Sequence, residues 1–341
     1  MTIRSRTTAL ALSAALGAAV AAQPAAAQQK AELMQSTMAI PVTSLGFMME
    51  FLAQDMHFYE KHGVAMKTTQ INGLGSINAL IAGSVDFAQP SGVSLTRAAS
   101  KGQNLLAIVQ LTNRIVVQVV LRKDIAGAGG FDPKAPLAKR AALLKGKTMA
   151  VESINSIIDA YLGLLAKQGG FTHDDMHVAA MEPPEMITAF AAKRIDGFAM
   201  SLPWTLQPVI EGSAVMLASG PDGDTVGLDP FTNTVVAAKP ETCEKKPQLC
   251  EAVGQAFRET SAWMHEHPDE AEALLKKRFA TLDPKVFHAS FETELKITPN
   301  PPVPTAKGIE NTDNYNIEAG LMKPSEKQSD YTKLFTDKYV K

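Results

Sequence analysis

The chain has 341 residues, of which 45% are apolar and 20% charged, and its formal net charge is −2. That balance excludes global disorder, and a length of this order suits roughly two domains. The near-neutral charge removes any electrostatic case for nucleic acid as a partner.

The first segment, MTIRSRTTALALSAALGAAVAAQPAAAQQ, starts with Arg4 and Arg6, runs through apolar Thr7–Ala22 and reaches Ala25-Ala26-Ala27. This is the order of a secretory signal peptide, with cleavage expected after Ala27. A membrane anchor is the alternative, but the run is short for a span of about 20 residues. No cysteine follows the cut, which argues against a lipid-anchored form. Ser5 separates the arginines, which argues against a twin-arginine signal. The expectation is a soluble, exported protein.

Short apolar bursts then alternate with amphipathic stretches, the pattern of an α/β fold. Strands are expected at Leu33–Ile40, Val64–Ile71, Val85–Ala88, Leu105–Leu111 and Ile115–Leu121. Between the first two, Phe47–Lys61 repeats apolar residues at helical spacing. A second series follows, with strands at Thr148–Val151, His177–Met181, Ile195–Met200 and Ala214–Ala218. Its helices are expected at Ile157–Lys167, Glu185–Lys193 and Leu202–Glu211. After about residue 240 the chain reads as mainly helical, broken by the proline-rich TPNPPVPTAKG. Cys243 and Cys250 sit in CEKKPQLC, and export favours a disulfide between them over two unpaired thiols. Their spacing matches no zinc pattern.

The two series echo each other. NALIAGSVDFA at Asn78–Ala88 aligns with TAFAAKRIDGFA at Thr188–Ala199, and Met38–Gln54 aligns with Met149–Gln168. Both pairs share one offset of about 110 residues and one order, which a solenoid period does not explain. Two lobes built on one plan do explain it.

Signatures of catalysis are missing. There is no Gly-x-Ser-x-Gly elbow and no His-Glu-x-x-His helix. KGKT at Lys145–Thr148 leads into a strand and lacks the first glycine of a phosphate loop, so it reads as a turn. HEHPDE at His265–Glu270 reads as a solvated helix end. No metal or cofactor is expected.

The loops between strand and helix are more informative, because in largely parallel sheets such loops hold ligands. In the first series they supply Thr43 and Ser44, Gly75 and Ser76, Gln89 and Ser91, and Asn113 with Arg114. In the second they supply Asn155 and Ser156, Glu182, and Ser201 with Trp204. Hydroxyls there cap helices, and helix starts with unpaired N–H groups bind anions without basic side chains. For each hydroxyl, capping alone is the other reading. Trp204 either stacks on a ligand or packs in the core. Glu152 and Glu182 add negative charge, and Arg114 is the one basic residue in the set.

At FYEKHGVAMKTTQINGLGSINALIAGSVDFA, LLKGKTMAVES and AAKRIDGFAMSLPW the chain resembles the periplasmic solute-binding proteins of ABC importers. The group concerned includes aliphatic-sulfonate, taurine, nitrate and thiamine-precursor pyrimidine binders. The resemblance implies a type II periplasmic-binding-protein fold, two α/β lobes with a ligand cleft between them. One lobe would comprise 28–118 with 236–341, and an inserted lobe 119–235. Hinges would fall near Val119–Arg122 and Asn233–Ala237, with Asn233 among the ligand residues. The implied function is capture of a small organic ligand in the periplasm by lobe closure and delivery to ABC permease subunits, by a monomer without a cofactor. The scarcity of basic loop residues favours a sulfonate, an aromatic carboxylate or a nitrogen heterocycle over nitrate. The alternative is an enzyme like the pyrimidine synthases on the same fold. Those need a cysteine-rich motif, whereas both cysteines here lie outside the pocket loops.

Overall fold

The computed structural model describes residues 32–341. The expected signal peptide and its cleavage site lie outside the described residues.

Among the described residues, ten strands form two five-stranded sheets. They are β1 (Met34–Ile40), β2 (Val64–Gln70), β3 (Phe87–Ala88), β4 (Leu106–Thr112), β5 (Gln118–Arg122), β6 (Thr148–Val151), β7 (His177–Ala180), β8 (Gly197–Met200), β9 (Ala214–Ser219) and β10 (Thr234–Ala238). The first sheet has the order β2-β1-β3-β10-β4 and the second β7-β6-β8-β5-β9. In each, the first three strands pair in parallel. The fourth position is antiparallel to both neighbours, β10 in one sheet and β5 in the other. Each sheet thus receives its antiparallel strand from the chain that has just left the other sheet. We call each sheet with its helices a lobe.

The repeat reaches single hydrogen bonds. Asp86 accepts from the Thr37 backbone N–H at 3.1 Å, and Asp196 accepts from that of Thr148 at 2.9 Å. In both lobes the aspartate before one strand fixes the strand beside it. The helix Gly75–Ala82 ends at left-handed Gly83, with Ser84 N–H bonded to Ala79 O. The helix Pro183–Ala191 ends with Arg194 N–H bonded to Ala189 O, and left-handed Lys193 (φ 58°) stands where the first lobe has glycine.

The inner strands β5, β8 and β10, and β4, are buried on both faces, which explains why they read as apolar bursts, whereas the edge strands β2 and β7 are mostly half-buried or exposed. Alternate residues enter different cores: Met38, Phe87 and Val236 join a large cluster, while Ala39, Ala88, Val235 and Ala237 face a smaller one with Leu80 and Leu95.

Several expectations need adjustment. Phe47–Lys61 is not one helix: Met48–Asp55 and Phe58–Lys61 are separated at left-handed His57. Leu202–Glu211 is helical only at Leu206–Ile210. The proposed hinge passages are themselves strands β5 and β10, held on both sides by neighbours. The chain crosses between lobes just before them, over 113–117 and 220–233. The expected disulfide is present between Cys243 and Cys250. No helix among the described residues is long and apolar enough to cross a membrane.

Candidate functional site

The strand-to-helix loops of the two lobes face one another around a cavity of about 70 Å³. A single water needs only about 10–15 Å³ on this kind of measure, so the space suits a small organic molecule. The first lobe contributes Ser44, Gly46 and Phe47, Gly73 to Ile77 in part, and Gln89 to Ser94 in part. The second contributes Glu152, Ser156, Ile157, Ile158 and Ser201, the crossings add Val116 and Asn233, and Thr234 at the start of β10 completes the wall.

Of the residues expected at the ligand, Ser44, Ser76, Gln89, Ser91, Ser156, Ser201 and Asn233 line this cavity. Their local roles differ. Ser156 caps the helix Ile157–Gln168, accepting from the N–H groups of Ile158 and Asp159 at 3.2 and 3.3 Å. Ser91 caps Gly92–Ser100 and accepts from Ser94 N–H at 3.1 Å. Ser76 donates to Gly73 O. Asn233 accepts from Val116 N–H and donates to the Thr234 hydroxyl, so it ties one crossing passage to the other. Other donors at the helix starts are also drawn into the fold. Leu45 N–H bonds Leu202 O of the opposite lobe, Gly92 N–H bonds Asn233 O, and Asn155 N–H bonds Asp159.

Thr43, Gly75, Asn113, Arg114, Asn155, Glu182 and Trp204 are not in the cavity wall. Arg114 is exposed and Gly75 packs against Ile71. Asn113 bonds Ile297 O through its N–H and accepts from Phe231 N–H. The remaining four bridge the lobes around the rim. Trp204 donates its indole N–H to Thr43 O at 3.4 Å. Asn72 donates to Glu182 at 2.7 Å. Arg97 donates to Asn155 O. Deeper in, the buried Tyr315 hydroxyl donates to Ile157 O at 2.8 Å.

Among the described residues the wall holds no Lys, Arg or His. Its one carboxyl is Glu152, whose Oε2 is buried without a partner. Burial, then repulsion from Glu182 and Asp159, pushes the Glu152 pKa up to about 7. Gln89 is fully buried and donates its amide N–H to Glu50 at 2.8 Å, which leaves Gln89 Oε1 without a partner. Glu50 is itself enclosed and also receives Tyr59, Thr68 and Gln54. Four donors around one buried carboxylate fix the amide of Gln89. Ser44 Oγ is a third unpartnered atom in the wall. Behind it, both oxygens of buried Glu294 lack partners, and burial raises its pKa to about 8.

A family model described as NMT1/THI5 like matches residues 44–271, which cover the loops from Ser44 to Asn233. The chain belongs to the NMT1/THI5-like family. A Brucella abortus relative, named provisionally as a binding protein, is 28% identical over 253 residues, covering 72% of this chain and 70% of the relative. Among solved structures, a Bordetella bronchiseptica protein superposes with TM-score 0.78 at 16% identity, covering 90% of this chain and 95% of that one. The alkanesulfonate-binding protein SsuA of Xanthomonas axonopodis pv. citri, bound to MOPS, superposes with TM-score 0.66 at 19% identity, covering 85% and 95%. The fold of this NMT1/THI5-like chain is therefore that of the periplasmic binding proteins.

Seven of the fourteen residues expected at the ligand line the cavity, and its apolar wall is not among the expectations. Phe47, Leu74, Ile77, Val116, Ile157 and Ile158 all line the cavity. Each stands within three positions of a predicted polar residue, and each also fits a helix or strand pattern that points to the core. Glu152 is read for its charge alone, because burial is set by the folded surroundings and not by spacing along the chain.

Proposed function

We propose that this protein is an extracytoplasmic solute-binding component of an ABC importer. It captures a small organic ligand between its lobes and presents the closed form to permease subunits at the periplasmic face of the membrane. The proposal keeps the two lobes expected from the sequence, 28–118 with 236–341 and 119–235, but moves their turning points to the crossings over 113–117 and 220–233, so that β5 and β10 each stay whole. The observation that carries this reading is the cavity walled by both lobes, with bridges between them around the rim. A ligand that touches both halves favours the closed form by its differential affinity for it. Transport without turnover suits a wall whose one carboxyl stands without a nucleophile–base pair.

Small-angle scattering and calorimetry on the purified chain test the reading. A saturating ligand should reduce the radius of gyration and be recovered chemically unchanged. Product formation would replace the carrier by an enzyme.

A further inference from the structure

Three buried polar atoms without partners belong to cavity-lining residues: Ser44 Oγ, Gln89 Oε1 and Glu152 Oε2. Gln89 Oε1 is an acceptor, Glu152 Oε2 is one when its carboxyl is ionised, and the two come from opposite lobes. Gln89 has only its carbonyl oxygen left, because Glu50 holds its amide N–H. Glu152 is a carboxyl on the loop after β6, with no basic side chain in the wall to balance it. Anion-binding groups are correspondingly occupied. The capping hydroxyls take the Ile158, Asp159 and Ser94 N–H groups. Asp159, in the first turn of the second-lobe helix, is taken up by the Asn155 N–H and by His173, each at 2.7 Å. Arg97 is directed to Asn155 O at the rim.

We infer that the cleft selects a compact N–H-donating molecule with an apolar body, an organic cation such as an aryl amidine or aryl guanidine, held between Gln89 Oε1 and Glu152. This deepens the carrier reading and rests on it. A buried acceptor left unpaired is costly, so a guest that donates to both is favoured. A sulfonate or carboxylate there would place like charge beside Glu152 and leave both acceptors unsatisfied. The aliphatic and aromatic wall of Phe47, Leu74, Ile77 and Ile158 suits a flat apolar body. Glu50 acts as a positioning residue: it never meets the ligand but decides which end of the Gln89 amide remains.

The test is calorimetry with benzamidine, phenylguanidine, benzoate and methanesulfonate at pH 8, alongside small-angle scattering. The expected result is at least tenfold tighter binding of the cations, with compaction. Glu152→Gln should lower cation affinity at least tenfold and leave anion binding unchanged or tighter. If the anions bind more tightly and compact the protein, the inference is overturned while the carrier reading stands. If Glu152→Gln folds and leaves cation affinity unchanged, the inference is likewise overturned. If no probe of either class binds or compacts the chain, both readings fall together.

Discussion

A Cβ placed on Gly73 would lie 2.7 Å from Cβ of Ser153, across the cleft. Gly73 also has φ +53°, a left-handed backbone that glycine adopts without cost. Two independent reasons therefore hold glycine at this point of close approach between the lobes. The first residue of the NGLGS loop that matters to closure is the one without a side chain.

Gly73→Ala should prop the lobes apart. The left-handed conformation costs alanine about 1 kcal/mol, and the contact with Ser153 adds to it only when the cleft is shut. The expected outcome is a larger radius of gyration with ligand and affinity reduced about tenfold or more, while stability without ligand falls only by the backbone cost of about 1 kcal/mol. Equal compaction in variant and parent would show that Gly73 does not gate closure.

Lys193 carries the left-handed turn that Gly83 carries in the first lobe. Its ammonium reaches Asp124 only at 3.7 Å on an exposed surface, a contact of small worth. Lys193→Gly should therefore stabilise the fold by about 0.5–1 kcal/mol, read as a higher urea midpoint. A lower midpoint would mean that the side chain matters more than the backbone.

The Cys243–Cys250 bridge joins two helices, neither of which reaches the cavity. Its short loop constrains the unfolded chain by about 2.5 kcal/mol in the chain-entropy account. The double Ala variant should unfold at lower urea by roughly that amount and keep the parent's ligand affinity. A change in affinity would reveal coupling between this edge and the cleft.

Glu294 makes stability depend on pH in a defined direction. Burial raises its folded pKa to about 8 from the usual 4.5. The folded state then keeps its proton while the unfolded chain gives it up. The contribution of Glu294 to stability is greatest below about pH 4.5 and declines as pH rises towards 8, by up to a few kcal/mol at about 1.4 per pKa unit. Glu152, raised to about 7 by burial, Glu182 and Asp159, adds a decline in the same sense that ends nearer neutrality. Glu294→Gln removes the Glu294 part. Urea titrations should show the variant gaining on the parent between pH 5 and pH 8. An unchanged difference at the two pH values would place the proton elsewhere.

Much of the fold was legible in the residue order. Strands buried on both faces read as apolar bursts, and the offset repeat of about 110 residues predicted two lobes of one plan, down to Asp86 and Asp196. β10 read as an extended hinge because Thr234–Ala238 stands alone between irregular chain and helices. Its partners, β3 and β4, are more than a hundred residues away. His57 broke the first long helix without a Gly or Pro to announce it.

By itself the sequence determined where helices start, which loops carry hydroxyls and that the two series correspond, since capping and periodicity are local properties. Only the tertiary structure decided which atoms remain unpartnered. Whether Ser156 serves its helix or a guest, whether Gln89 shows an oxygen or a nitrogen, and whether Glu152 is buried depend on groups brought from distant positions. Hydrogen-bond satisfaction and desolvation are set by that three-dimensional neighbourhood, and no spacing along the chain encodes them directly.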